Sequence, residues 1–114
     1  MKMMTELEIS KALALATGWG RVQIIGDNVL VYTGNPYDKV WYSHSHSWVY
    51  NNRVFDYKDW NVIGPIAEKF DCFPMVAACH ADQWAIVTER VQVYADTPQK
   101  AIALAVIQAT NEPH

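Results

Sequence analysis

The side chains best suited to binding chemistry are concentrated in one stretch, residues 41–53. Aromatic faces stack on nucleobases and arginine contacts phosphate, so the stretch could hold a nucleotide or a nucleotide-derived signal. Trp, Tyr and Arg also dominate the binding energy of protein interfaces, so it could equally anchor a protein partner. Alternatively, the aromatic side chains simply pack on helices, because half-buried strands favour such residues. The candidate ligand-binding residues are Trp41, His44, His46, Trp48, Tyr50 and Arg53.

The pair His44 and His46 is the pattern that best suits a metal ion. Residues two apart on a strand share a face, so both imidazoles could meet one ion. A third ligand would have to come from His80, Cys79 or Cys72, none of which stands at a diagnostic ligand spacing. A solvated, Ser-rich loop explains the pair as well. We therefore predict no metal and no other cofactor, and a small metal-dependent hydrolase is the third functional alternative.

Thiol and carboxylate catalysis have little support in the sequence. Cys72 is flanked by aromatic residues, and apolar surroundings raise the pKa of a thiol and make it inert. Asp56 and Asp59 stand at a predicted helix start, where the helix dipole is sufficient to explain them. The five glycines are dispersed, so no glycine-rich phosphate loop is present. We expect a protein without enzymatic activity.

The composition describes one domain of 114 residues with a sizeable core, since 51% of the residues are hydrophobic and 18% are charged. The net charge of −3 and the scattered basic residues argue against binding of duplex nucleic acid. Acidic residues interrupt the N-terminus at once, and the longest apolar run (101–107) is too short to cross a bilayer. We expect no signal peptide, no membrane association, reduced cysteines and a cytoplasmic location.

The hydrophobic pattern predicts an α/β (α+β sandwich) domain in the order helix–strands–helix–strands–helix, with three helices covering an antiparallel sheet of five to seven strands. Thr5 and Glu8 form a capping box that starts the first helix, and Gly18 is the candidate for its end. The last helix begins at Pro98 and runs to about Thr110. Its segment 101–107 is apolar on every side, which predicts burial between sheet and first helix or against a second chain.

The stretch 55–70 is predicted to organise the fold, with one helical face turned to the core. Pro65 should loosen the first turn, so that the regular helix starts at about Gly64. The residues of the core face are Trp60, Ile63, Ala67 and Phe70.

Strands are predicted from β-rich runs between turn residues. Residues 21–25 and 29–33 should form a hairpin with a three-residue loop, and residues 40–42 a short strand. Asn51-Asn52 is suited to a two-residue turn, which would pair 48–50 with 53–55. Three further runs predict an antiparallel meander: 75–79, 84–88 and 91–95.

Several of these signals together resemble the phage ABA-sandwich domain family, which includes NinX-like phage accessory proteins. The shared features are Ala-Thr-Gly-Trp at 16–19, Asp-x-x-Asp-Trp at 56–60, a strand that begins with Trp84, and Ala-Asp-Thr-Pro-x-x-Ala-Ile-x-x-Ala at 95–105. The resemblance covers the helices and the last three strands and is weaker over residues 22–55. It implies a small phage-encoded sandwich in the host bacterial cytoplasm, and it brings no catalytic residues to carry over.

The combined expectation is a non-enzymatic, phage-type accessory protein that works against host defence by sequestering a small nucleotide-derived signal. The alternative is a protein–protein inhibitor of a host defence or regulatory protein that uses the same aromatic patch. Five Trp and six Tyr are more than so small a domain buries easily. We therefore also expect a homo-oligomer, whose interface would complete the pocket.

Overall fold

The structure, a computed structural model, describes residues 4–77 and 83–111. It is a mixed α+β fold with three helices and three small antiparallel sheets. In chain order the elements are α1 (Glu6–Ala16), β1 (Arg21–Ile25), β2 (Asn28–Tyr32), β3 (Lys39–Tyr42), β4 (Ser47–Tyr50), β5 (Arg53–Val54), α2 (Trp60–Phe70), β6 (Met75–Val76), β7 (Trp84–Val87), β8 (Gln92–Ala95) and α3 (Pro98–Asn111).

The strands do not join into the single sheet of five to seven strands that the sequence predicts. They form sheets in the orders β1-β2-β5, β3-β4 and β6-β7-β8. β5 and β6 contain only two residues each, and β3 and β4 pair with each other alone in the part of the chain that is described. The predicted meander is present as β6-β7-β8, although the end of its first run, at Cys79, lies outside the described residues.

The first helix is capped at both ends as the sequence predicts. Glu8 N donates to Thr5 Oγ1 and Thr5 N donates to Glu8 Oε1, each at 3.2 Å, which completes the capping box. Gly18 follows the C-cap with a φ of 94°, and its N–H and that of Trp19 donate back to the last turn, the pattern of a Schellman ending. This ending places Trp19 half-buried against the core.

The hairpin β1-β2 has a two-residue loop and not three, because Ile25 pairs with Asn28. Its entry requires glycine at position 20. A Cβ there would lie 2.5 Å from the backbone oxygen of Thr33 and 2.7 Å from Cα of Gly34. The close backbone approach lets Gly20 N donate to the carbonyl oxygen of Tyr32, which fixes the first strand against the end of the second.

The central helix begins at Trp60, earlier than the expected start at Gly64. Asp59 is the N-cap, since its Oδ1 accepts from Asn61 N at 2.9 Å, so the first turn forms despite Pro65. Proline removes one backbone donor, but the carbonyl that loses its partner belongs to the exposed Asn61 and remains open to water.

The predicted core face of this helix is correct except at its first residue. Ile63 and Ala67 are buried and Phe70 is half-buried, whereas Trp60 is 52% exposed and does not enter the core. The helix ends at Asp71, which adopts the left-handed conformation (φ 53°, ψ 46°) that glycine usually takes.

The last helix is the centre of the molecule. It packs on α1, on α2 and on strands β7 and β8, and residues 101–107 are buried except for the half-buried Leu104. The prediction of burial between sheet and first helix is therefore confirmed. Because residues 101–107 are covered within the chain itself, their apolar character no longer argues for a second chain, and the expected homo-oligomer stays a prediction. Near the same core, the buried Ser10 hydroxyl accepts the backbone N–H of Tyr57 at 3.2 Å.

Candidate binding surface: the aromatic β-ribbon

Residues 39–50 form a two-stranded antiparallel structure, here called the ribbon. Lys39 pairs with Tyr50, Val40 with Val49, Trp41 with Trp48 and Tyr42 with Ser47. The tip is the four-residue loop 43–46, in which His46 has a φ of 47°. The positive φ lets the chain reverse between the strands, at the modest cost that a non-glycine residue carries there.

Both faces of the ribbon are exposed. Every residue of β3 is exposed, and so is every residue of β4 except the half-buried Ser47. Trp48 and Trp41 leave 64% and 52% of their surface accessible. A two-stranded hairpin is at best marginally stable in water. The ribbon therefore depends on its own side-chain contacts and on its attachment to the body, and it presents apolar surface on two sides.

One face carries a continuous aromatic cluster. The rings of Trp41 and Trp48 meet edge to face with their centroids 5.6 Å apart. Toward the tip, His46 approaches the Trp41 ring at 6.5 Å. Toward the body, Lys39 Nζ lies 4.9 Å from the centre of the Tyr50 ring. Edge-to-face aromatic pairs and cation–π contacts each contribute about 0.5–1.5 kcal/mol, so this face holds the two strands together.

The opposite face is apolar as well, and it separates the two histidines. Val40, Tyr42 and Val49 lie on this side by the pairing register, and His44 packs on Tyr42 with the ring centroids 5.5 Å apart. His46 instead contacts Trp41 on the other face. The two imidazoles therefore lie on opposite faces of the ribbon, whereas the sequence predicts a strand that would place both on one face. The described residues contain no group of three His, Cys, Asp or Glu side chains placed to hold a metal ion; His80 and Cys79 lie outside them.

Arg53 does not belong to the ribbon, which corrects the predicted hairpin around Asn51-Asn52. Strand β4 pairs with β3, whereas β5 pairs with β2, with Arg53 opposite Val31. The two asparagines connect two sheets and do not close a turn between 48–50 and 53–55. Five of the six candidate residues therefore lie on the ribbon, divided between its faces, and the sixth lines a separate cleft.

The root of the ribbon is tied to the body through Asp38. Its carboxylate accepts the hydroxyl of Thr33 at 2.9 Å and the side-chain amide of Asn51 at 3.4 Å, and its carbonyl accepts the N–H of Asn51 at 2.9 Å. A cleft of about 220 Å³ lies beside this root; Arg21, which stacks over Tyr32, and Tyr50 are among the residues that line it. These bonds fix both strands of the ribbon where they leave the body.

The candidate nucleophile Cys72 is buried, as the sequence predicts. Burial raises the pKa of its thiol above the ordinary value of 9.0, and the neighbouring Asp71 carboxylate raises it further. Burial likewise raises the pKa of the Tyr57 hydroxyl. Asp59 acts as a helix cap and Asp56 accepts the N–H of Lys58, so these carboxylates have structural roles.

Sequence reasoning missed Lys39, Val40 and Val49, which complete the two faces. The signal was present in the chain: Val-Trp-Tyr and Trp-Val-Tyr stand symmetrically about Ser-His-Ser-His-Ser. A polar segment between two aromatic triplets predicts a hairpin that brings the triplets together.

Comparison of the chain with protein-family models, with curated protein sequences and with solved structures found no match. The resemblance to the phage ABA-sandwich family rests on the motifs given above, and the α+β architecture is compatible with it. Among the described residues, no helix has the length and apolar character needed to cross a bilayer.

Proposed function

We propose that this chain is a non-enzymatic binding protein whose ribbon anchors a protein partner. The observation that carries the proposal is the exposure of aromatic and β-branched side chains on both faces of residues 39–50. The resemblance to phage accessory proteins adds the proposal that the partner is a host defence or regulatory protein. The nucleotide-sequestering form of the hypothesis has less support on the ribbon, because Arg53 is not there to complete a pocket.

The low charge of the ribbon favours a protein over a nucleic acid as its binding partner. Residues 39–50 contain one formally charged side chain, Lys39, and no carboxylate. The buried centre of a protein interface is depleted of charged residues and enriched in Trp and Tyr, whereas nucleic-acid surfaces need clustered Lys and Arg. The Trp, Tyr and Ser content also matches surfaces that bind proteins through rigid aromatic anchors and small polar groups.

The exposed area favours a partner with a groove. An aromatic side chain presents roughly 150–250 Å², so the half-exposed Trp41, Trp48 and Tyr50 leave about 300 Å² on one face. A standard interface buries about 800 Å² on each partner, so one face is insufficient. The opposite face and Tyr37, which is 90% exposed at the root, raise the apolar total to roughly 700 Å². The partner we propose therefore encloses the ribbon in an apolar groove.

The proposal is tested by comparing tagged wild-type chain with the double variant Trp41→Ala/Trp48→Ala in a bacterial lysate. A matched control, Phe73→Ala/Met75→Ala, removes two side chains of similar exposure away from the ribbon. We expect wild type and control to retain the same partner and the ribbon variant to lose it. Equal retention by the ribbon variant would contradict the proposal.

A second copy of the chain is the alternative occupant, and solution mass separates the two. A mass of twice 13.0 kDa that falls to 13.0 kDa in the ribbon variant would assign the ribbon to self-association. A wild-type monomer leaves the ribbon free for a different protein.

A further inference from the structure

A second surface, independent of the ribbon, is the cleft between β5, the end of α1 and α2. It has a volume of about 320 Å³ and is lined by eleven residues, here called the basic cleft. Small-molecule sites have volumes of about 300–1,000 Å³, so the basic cleft is of a size for one small ligand. None of its lining residues is acidic.

The inner part of the basic cleft is apolar. Val31 and Phe55 are buried at its base, and the half-buried Trp19 lies beside them where the Schellman ending of α1 folds back. Val62 and Ile66 of α2 form the facing wall and are half-buried. Such a base shields a flat or apolar group from water and includes one aromatic side chain that such a group can contact.

The rim is polar and positively charged. Arg53, Asn61 and Lys69 line the cleft, and all three are exposed. Neither cation forms an ion pair with a carboxylate of the described residues, and Lys69 instead lies 5.8 Å from the centre of the Phe70 ring. The side-chain amide of Asn61 has no hydrogen-bond partner within the described ranges. Two cations and a free amide donor above an apolar base are complementary to an anion attached to a ring.

We propose that the basic cleft binds a small phosphate monoester with a flat or apolar body. Arg53 and Lys69 contact the phosphate, Asn61 donates to one of its oxygens, and the ring lies on Trp19 above Val31 and Phe55. The position of Arg53 opposite Val31 on the edge strand β5 directs it to the core-facing side, beside α2. The proposal does not depend on the ribbon, so either can fail without the other.

The test is a titration of ¹⁵N-labelled chain in low-salt, phosphate-free buffer, with phenyl phosphate and adenosine 5′-monophosphate as probes. Inorganic phosphate and adenosine separate the contribution of the anion from that of the ring. We expect saturable amide shifts confined to residues 53–69, to residues 17–19 after the end of α1, and to Val31 with its neighbours in β2. Added salt should weaken binding, because the contact at the exposed rim is electrostatic.

Two variants, Arg53→Gln and Lys69→Met, each keep an uncharged side chain of similar length at the rim. Each should weaken binding of the better probe about tenfold, the effect expected for one charge-assisted hydrogen bond. Arg90→Gln, in the exposed bend before β8, is the matched control and should leave affinity unchanged.

Three results would overturn the proposal. The first is the absence of localised shifts with either phosphate monoester at about 10 mM, which would mean that any dissociation constant lies well above that concentration. The second is equal affinity for inorganic phosphate and phenyl phosphate, which would show that the apolar base contributes nothing to binding. The third is unchanged affinity in both Arg53→Gln and Lys69→Met, with folding verified by the amide spectrum.

Discussion

Replacement of Trp48 by alanine should loosen the ribbon and leave the core intact. The substitution removes the edge-to-face pair with Trp41, whose ring centroids lie 5.6 Å apart. Such a pair is worth about 0.5–1.5 kcal/mol beyond its buried area. Because 64% of Trp48 is already exposed, only the covered third of its side chain is lost as well, roughly 50–90 Å² or about 1–2 kcal/mol. The free energy of opening the ribbon should therefore fall by about 1.5–3.5 kcal/mol.

Native-state hydrogen exchange measures this change residue by residue. Amides in residues 39–50 should exchange at least about tenfold faster in Trp48→Ala, whereas amides of α3, such as those of Ile102 and Val106, should keep their rates. Tyr37→Ala is the control, since Tyr37 is 90% exposed, and should change neither set. An equal acceleration of ribbon and α3 amides would show that Trp48 supports the core, and it would refute the independence of the ribbon.

Three further predictions concern the body of the protein. Gly20→Ala should destabilise the fold by about 1–3 kcal/mol, because its Cβ would meet the backbone of Thr33. Gly64→Ala should change stability by less than about 1 kcal/mol, because its Cβ meets no tertiary neighbour and the gain in helix propensity is opposed by crowding against Pro65. Asp71→Gly should stabilise the chain by about 0.5–1 kcal/mol, because glycine adopts the left-handed ending of α2 without steric cost. Cys72 should be alkylated slowly at neutral pH, and more slowly than an exposed thiol at every pH below its raised pKa, because burial disfavours the thiolate. The folded state holds the thiol proton more tightly than the unfolded chain, so the contribution of Cys72 to stability is complete below pH 9.0 and is lost as the pH rises above it.

Chemical denaturation and peptide mapping check these predictions. Equal effects of the two glycine substitutions would contradict the close approach at Gly20. A loss of stability in Asp71→Gly would show that the aspartate side chain supports the helix end. Mass spectrometry of alkylated peptides separates Cys72 from Cys79, and rapid labelling of Cys72 at pH 7 would contradict its burial.

Features that depend only on residues close together in the sequence could be predicted from it. The capping box at Thr5, the glycine ending at Gly18 and the Pro98 start each depend on residues within one turn, and each lies where the pattern places it. The burial of α3 also follows from composition alone, since a helix apolar on every side needs cover on every side.

The ribbon was missed because two candidate turns, 43–46 and Asn51-Asn52, compete for the strand 48–50, and the pairing of β5 with the distant β2 decides between them. Asn51-Asn52 is good turn chemistry, and local reasoning pairs the strands on either side of it. The chain instead pairs Trp41 with Trp48 and sends Arg53 to Val31, a contact that spans 22 positions. Arg53 was wrongly grouped with the ribbon residues for the same reason, because its strand β5 pairs with β2 in another sheet.

The central claim is that the ribbon is the surface by which this chain binds a protein partner. Hydrogen exchange of the chain, free and in complex with the partner that the wild type retains, tests this claim most directly. The claim predicts that protection appears in residues 39–50 on both strands, with α3 unchanged. Protection confined to other segments, with the ribbon exchanging as in the free chain, would contradict it.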